Sequence, residues 1–168
     1  MQRPCLLCCV GNAWRRDDGA GPALAERMRP DLPAGVDLMC EAADPGSLLA
    51  AWADRPGLVC VDAAAPAGHP GRVRRFAASI EGLAAIVRLG AIASSHGLGL
   101  AEALALAAAL DRLPWRTVVY TLEAAELGHG KGLSAPVGQA LPALERRVRH
   151  ELRALRVAPK PPRGSEVT

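Results

Sequence analysis

Three places at strand ends or helix starts carry the polar residue types best suited to chemistry. The first is Gly11-Asn12-Ala13-Trp14-Arg15-Arg16-Asp17-Asp18-Gly19-Ala20-Gly21. The second is Asp62, a lone carboxylate closing the run Leu58-Val59-Cys60-Val61. The third is Ser94-Ser95-His96-Gly97, ahead of an Ala- and Leu-rich stretch. Each has an ordinary explanation when taken alone. Asp17 and Asp18 would cap the next helix, whose dipole favours a carboxylate at its N-terminus. Asp62 would be satisfied by a cap or a backbone contact, and His96 would be a cap or a hydrogen-bonded core group. Taken together, Asp18, Asp62 and His96 offer two carboxylates and an imidazole. That set suits an open site for a borderline divalent metal such as Ni²⁺ or Zn²⁺. An all-protein Mg²⁺ site would usually forgo the histidine.

Other chemistries have weaker support. The glycines of the first loop do not have the G-x-G-x-x-G spacing, and no P-loop lysine follows. There is no G-x-S-x-G elbow, and Ser134 reads as an N-cap ahead of an apolar stripe. His150-Glu151 lacks the second histidine of a zinc-protease helix, while His69 and His129 flank glycines in loops. The cysteines, Cys5, Cys8, Cys9, Cys40 and Cys60, are odd in number and sit within apolar runs. Cys5 and Cys8 form a C-x-x-C inside an expected strand, where residues three apart face opposite sides. They read as small buried hydrophobes in a reducing compartment.

The elements that must position the candidates follow from apolar patterning. Residues 5–10 and 58–62 are continuous apolar runs, as expected of strands buried on both faces. Residues 36–40 suit another strand, 116–122 a fourth by β-branched content, and 72–76 a short edge strand after Pro70-Gly71. Helices are expected over 20–29, from Pro45-Gly46-Ser47 to Trp52, over 98–110, and from about Ser134 onward. In the last, Val137, Leu141, Leu144, Val148, Leu152 and Leu155 recur at spacings of three and four. Pro142 within it predicts a kink or a late start. This alternation argues for an α/β fold with a mostly parallel sheet and helices on both faces. In such folds, polar chemistry collects beyond the carboxyl ends of the strands.

The chain has 168 residues, half of them hydrophobic, enough for one domain over 1–156 with a flexible tail over 157–168. Its formal charge of +3 is local. It comes from Arg146, Arg147, Arg149, Arg153 and Arg156, facing only Glu145 and Glu151, and from the tail. With 3% aromatics there is little to stack on bases, so a nucleic-acid partner is not expected. No run approaches the roughly 18 apolar residues of a membrane span. The start lacks the apolar length of a signal peptide, so a cytoplasmic location is expected.

The first loop, Gly11-Asn12-x-x-Arg15-x-Asp17-Asp18-Gly19-x-Gly21, resembles the signature of the [NiFe]-hydrogenase maturation endopeptidases. The similarity continues through Val61-Asp62-Ala63 with Pro70-Gly71, Ser95-His96-Gly97, Glu123, and Gly132-Leu133-Ser134-Ala135-Pro136-Val137, in order across residues 6–150. The resemblance implies a three-layer α/β/α sandwich around a five-stranded sheet. It implies a peptidase that removes a C-terminal peptide from a hydrogenase large-subunit precursor once nickel is inserted. The metal-contacting positions of the family fall on Asp18, Asp62 and His96. The nickel is then the substrate's, with no permanent metal expected and zinc or cadmium able to fill the site in vitro. Two departures stand out. Glu41 is followed by Ala42-Ala43-Asp44 in place of the family's Gly-Thr stretch, and Trp14 is unusual at the mouth of the first loop.

Two rival readings belong to other classes. A receiver domain phosphorylated on Asp62 would use Asp17 and Asp18 for Mg²⁺, but would leave His96 without a role and has only Lys131 as its lysine. A maturation factor that binds a metallocentre without cutting fits the absence of a dedicated nucleophile.

Overall fold

The computed structural model describes residues 3–41, 44–77, 82 and 99–157. Five strands form one sheet: β1 Cys5–Val10, β2 Val36–Glu41, β3 Leu58–Ala64, β4 Val73–Ala77 and β5 Thr117–Glu123, in the order β2-β1-β3-β5-β4. All neighbours run parallel except β4, which pairs antiparallel with β5 at the edge. Among the described residues the helices packed on the sheet are α1 Ala20–Met28, α2 Pro45–Trp52, α3 Leu100–Ala109 and α4 Ala135–Val157.

The continuous apolar runs are strands covered on both sides. In β1, Cys5, Leu7 and Cys9 face a core shared with α1 and α4. Leu6, Cys8 and Val10 face a second core shared with α2 and α3. The expected α/β/α sandwich is therefore present, and Cys5 and Cys8 lie on opposite faces. All five cysteines lie among the described residues and none is in a disulfide.

Most expected boundaries move by one or two residues, and two of the shifts have a clear physical cause. The strand expected to stop at Asp62 continues to Ala64, because Ala63 and Ala64 keep pairing with Leu122 and Glu123 of β5. Helix α4 is continuous from Ala135 through Pro142 to Val157, one residue past the expected domain end. Pro142 forfeits one helical hydrogen bond, but Val137, Leu141, Leu144, Val148 and Leu152 fix the helix on the sheet by burial. Residues 158–168 of the expected tail lie outside the described residues.

The chain leaves β1 toward β2 on one side and returns to β3 on the other. That reversal makes a topological switch point between the carboxyl ends of β1 and β3, where α/β folds place their ligands.

Candidate functional site at the carboxyl ends of the strands

After β1, Gly11 turns the chain back at φ +138°. A Cβ at Gly11 would overlap the Asp18 carbonyl oxygen, and one at Gly21 would overlap the Val10 carbonyl oxygen. Both glycines are thus required for the loop to fold directly onto its own strand end. A 3-10 turn, Arg16–Gly19, sits there with Asp17 and Asp18 buried.

The two adjacent aspartates do different things. Asp17 Oδ1 accepts the Ser134 N–H at 2.7 Å, and Oδ2 accepts the N–H groups of Ala125 and Glu126 at 2.8 and 3.1 Å and the Ser134 hydroxyl at 2.9 Å. Burial pushes the Asp17 carboxyl up, but the hydrogen bonds from Ser134, Glu126 and Ala125 outweigh it and hold it below the usual range. The clamp joins the first loop to the segment between β5 and α4. Further backbone bonds reinforce it, Arg16 to Gly130 and Gly130 to Trp14, each 2.9 Å. Neither aspartate caps α1, whose N-cap is Gly19 without a side-chain bond. The Ser134 carbonyl accepts the Gly138 N–H at 2.9 Å, as an N-cap should, but its hydroxyl serves Asp17.

Asp18 faces the other way. One of its oxygens accepts the Asn12 N–H at 3.1 Å. Asp62, 3% exposed on β3, accepts the N–H of Ala63 at 2.8 Å. Its own burial and then the nearby Asp18 charge push Asp62 well above the usual carboxylate range, against the Ala63 N–H. Among the described residues no ion pair brings a cation to Asp62. Two neighbouring buried carboxylates are costly as anions, and a divalent cation between them would offset both desolvation and repulsion. The described residues alone form no group of three metal-binding side chains. Asp18 and Asp62 are two of the expected trio, and His96 lies outside the described residues, as do Ala42 and Ala43.

Asp62 has a polar neighbour that the sequence reading passed over. In the β3–β5 register Asp62 stands opposite Thr121, and Arg74 of β4 stands opposite Thr121 on the other side. Among the described residues the buried Thr121 hydroxyl has no hydrogen-bond partner. That omission costs about 1–3 kcal/mol in protein interiors. The other strand threonine, Thr117, donates to the Pro114 carbonyl at 2.8 Å.

Glu123 closes β5 and is consumed structurally. It accepts the N–H groups of Ala67 and His69 at 2.8 and 2.6 Å and the Arg72 guanidinium at 2.8 and 3.1 Å. Burial raises its carboxyl, but those partners together hold it below the usual range. It pins the loop that follows Asp62. At the rim, Trp14 is 63% exposed and the Lys131 ammonium lies 3.8 Å from its ring centroid.

The receiver reading does not survive this geometry. Receivers have sheet order 2-1-3-4-5, whereas here β5 lies inside and β4 is an antiparallel edge. Both oxygens of Asp17 are also engaged by N–H and O–H donors of the segment between β5 and α4, so its carboxylate is spent on a structural clamp.

A family model described as hydrogenase maturation protease (HycI) matches residues 24–151, a span that includes Asp62 and His96. The chain belongs to the hydrogenase maturation protease family. It is therefore a peptidase by descent, and its fold agrees with solved members. Hydrogenase maturating endopeptidase HybD from E. coli superposes with TM-score 0.77 at 23% identity, covering 90% of this chain and 93% of that one. The [NiFe] hydrogenase maturation protease HybD from Thermococcus kodakarensis gives 0.71 at 23% identity, over 88% and 97%. A hydrogenase 2 maturation peptidase from a Thaumarchaeota archaeon gives 0.65 at 26% identity, over 93% and 100%. None of the curated proteins matches the chain. Among the described residues of this protease, no helix is long and apolar enough to cross a membrane.

Proposed function

We propose that this maturation protease removes the C-terminal extension of a [NiFe]-hydrogenase large-subunit precursor, and does so only after the precursor has received nickel. The observation that carries this reading is the pair of buried carboxylates, Asp18 and Asp62, gathered at the switch point of the sheet. Their burial and mutual repulsion favour a cation between them, and a family member's substrate brings one. Asp18, Asp62 and His96 complete the coordination of the precursor's cysteine-held nickel. The nickel, as part of the substrate, positions the scissile peptide bond and reports that insertion has occurred. Zinc or cadmium fills the same three ligands in vitro. The reaction belongs where the precursor is assembled, in the cytoplasm.

The test uses Asp18→Asn, Asp62→Asn and His96→Ala. Each is expected to lose processing of nickel-loaded precursor while keeping the wild-type circular dichroism. Undiminished cleavage by any of the three would remove that residue from the site. If the wild-type protein binds the loaded precursor without shortening it, the chain is a metallocentre-binding maturation factor instead.

A further inference from the structure

The register of β3 and β5 puts Thr121 directly opposite Asp62, so both side chains rise from the same face of the sheet. Asp62 accepts one described hydrogen bond, from the Ala63 N–H to Oδ1. An ionised carboxylate has about four acceptor positions, so its second oxygen has capacity to spare. Thr121 has the complement: a buried hydroxyl with no hydrogen-bond partner among the described residues. A strand interior does not need a hydroxyl there. Val118 and Val119 occupy the same strand, and valine would fill the same volume without burying an unpaired polar group.

The geometry points to Thr121 as a positioning residue for the metal site. When Asp62 holds a divalent metal, the Thr121 hydroxyl turns about χ1 and donates to the carboxylate oxygen that does not bind the metal. This fixes the carboxylate plane, and the bond exists only in the metal-bound state. Carboxylates that ligate metals are themselves held by such donors, and loss of one typically weakens binding 10- to 100-fold. The inference rests on the reading of Asp62 as a metal contact.

The test is calorimetric titration of the full-length protein with Zn²⁺ alone, beside thermal melts. Wild type should bind Zn²⁺, and Asp62→Asn should not. Thr121→Val should bind 10- to 100-fold more weakly yet melt no lower than wild type, since it removes an unpaired hydroxyl. Thr121→Ser should recover near wild-type affinity. Equal affinity for wild type and Thr121→Val would overturn the proposal, as would a Thr121→Ser variant as weak as Thr121→Val. A clearly lower melting temperature for Thr121→Val would also overturn it, by giving the hydroxyl a structural partner. Wild type that ignores Zn²⁺, or Asp62→Asn that binds it as tightly as wild type, would instead refute the underlying site reading and this inference with it.

Discussion

The carboxylate of Asp17 takes both the N–H and the hydroxyl of Ser134, at 2.7 and 2.9 Å, across 117 positions of sequence. This pairing ties the loop after β1 to the start of α4 and so holds Asp18, the next residue, over the strand end. Replacing Asp17 by Asn puts an amide donor where two N–H groups and a hydroxyl donate, and leaves buried donors unpaired. The expected loss is about 2–4 kcal/mol, or roughly 5–15 °C in melting temperature. Urea unfolding checks it, and a loss under about 1 kcal/mol would show that the clamp is not needed.

Acid should find the same clamp. Asp17 and Glu123 are both held below their ordinary values in the folded protein. Glu151 joins them, through the Arg75 guanidinium first and then the Tyr120 hydroxyl, in spite of burial. A carboxylate depressed by folding contributes stability above its unfolded value. That contribution is lost as pH falls from about 4 toward the folded value. These three groups therefore contribute no slope near neutrality and lower the unfolding free energy below about pH 4, whereas Asp62, raised by folding, acts with the opposite sign and adds stability as pH falls through its folded value. For Asp17→Asn the acid limb should be shallower by up to about 1.4 kcal/mol per pH unit. An identical limb would mean Asp17 is not depressed.

Gly11 and Gly68 make a matched pair for the loop. Both have positive φ, +138° and +94°, but a Cβ at Gly68 meets nothing within 4 Å while one at Gly11 overlaps the Asp18 carbonyl. Gly68→Ala should cost only the backbone strain, about 1 kcal/mol. Gly11→Ala should cost that and more, and should depress processing by displacing Asp18. Equal urea midpoints for the two variants would contradict the close packing of the loop on β1.

The thiols give a probe of the sheet. Cys5, Cys8, Cys9 and Cys60 are buried and Cys40 is half-buried, with burial, above all, pushing Cys9 and Cys60 well above the ordinary thiol range. Native protein should therefore titrate about one thiol with a disulfide reagent, at Cys40, and all five after denaturation. Rapid labelling of Cys5 and Cys8 would revive the C-x-x-C as a redox pair.

Much of this architecture is visible in the residues themselves. The runs 5–10 and 58–62 announce buried strands because every position but the closing Asp62 is apolar, and the stripe from Val137 to Leu155 announces α4. Local patterning does not separate Asp17 from Asp18; the family resemblance selects Asp18, and what it leaves open is the work of Asp17, which the 3-10 turn assigns by aiming that carboxylate at Ser134. Reading them as helix caps failed because Gly19 takes the N-cap position itself. Thr121 was hidden for a related reason. A threonine in a valine-rich strand is ordinary by β propensity, and its place beside Asp62 depends on the register of β3 and β5, which local patterning does not specify. Asp62 itself was legible, though the strand outlasts it by two residues because the pairing with β5 continues.

The central claim is cleavage that depends on the precursor's nickel, and intact mass spectrometry tests it directly. A hydrogenase large-subunit precursor, with and without nickel loaded, is incubated with the wild-type protein and weighed. The account predicts loss of one C-terminal peptide from the nickel-loaded precursor and none from the nickel-free one. Equal shortening of both would contradict the metal check, and an unshortened loaded precursor would contradict the protease assignment itself.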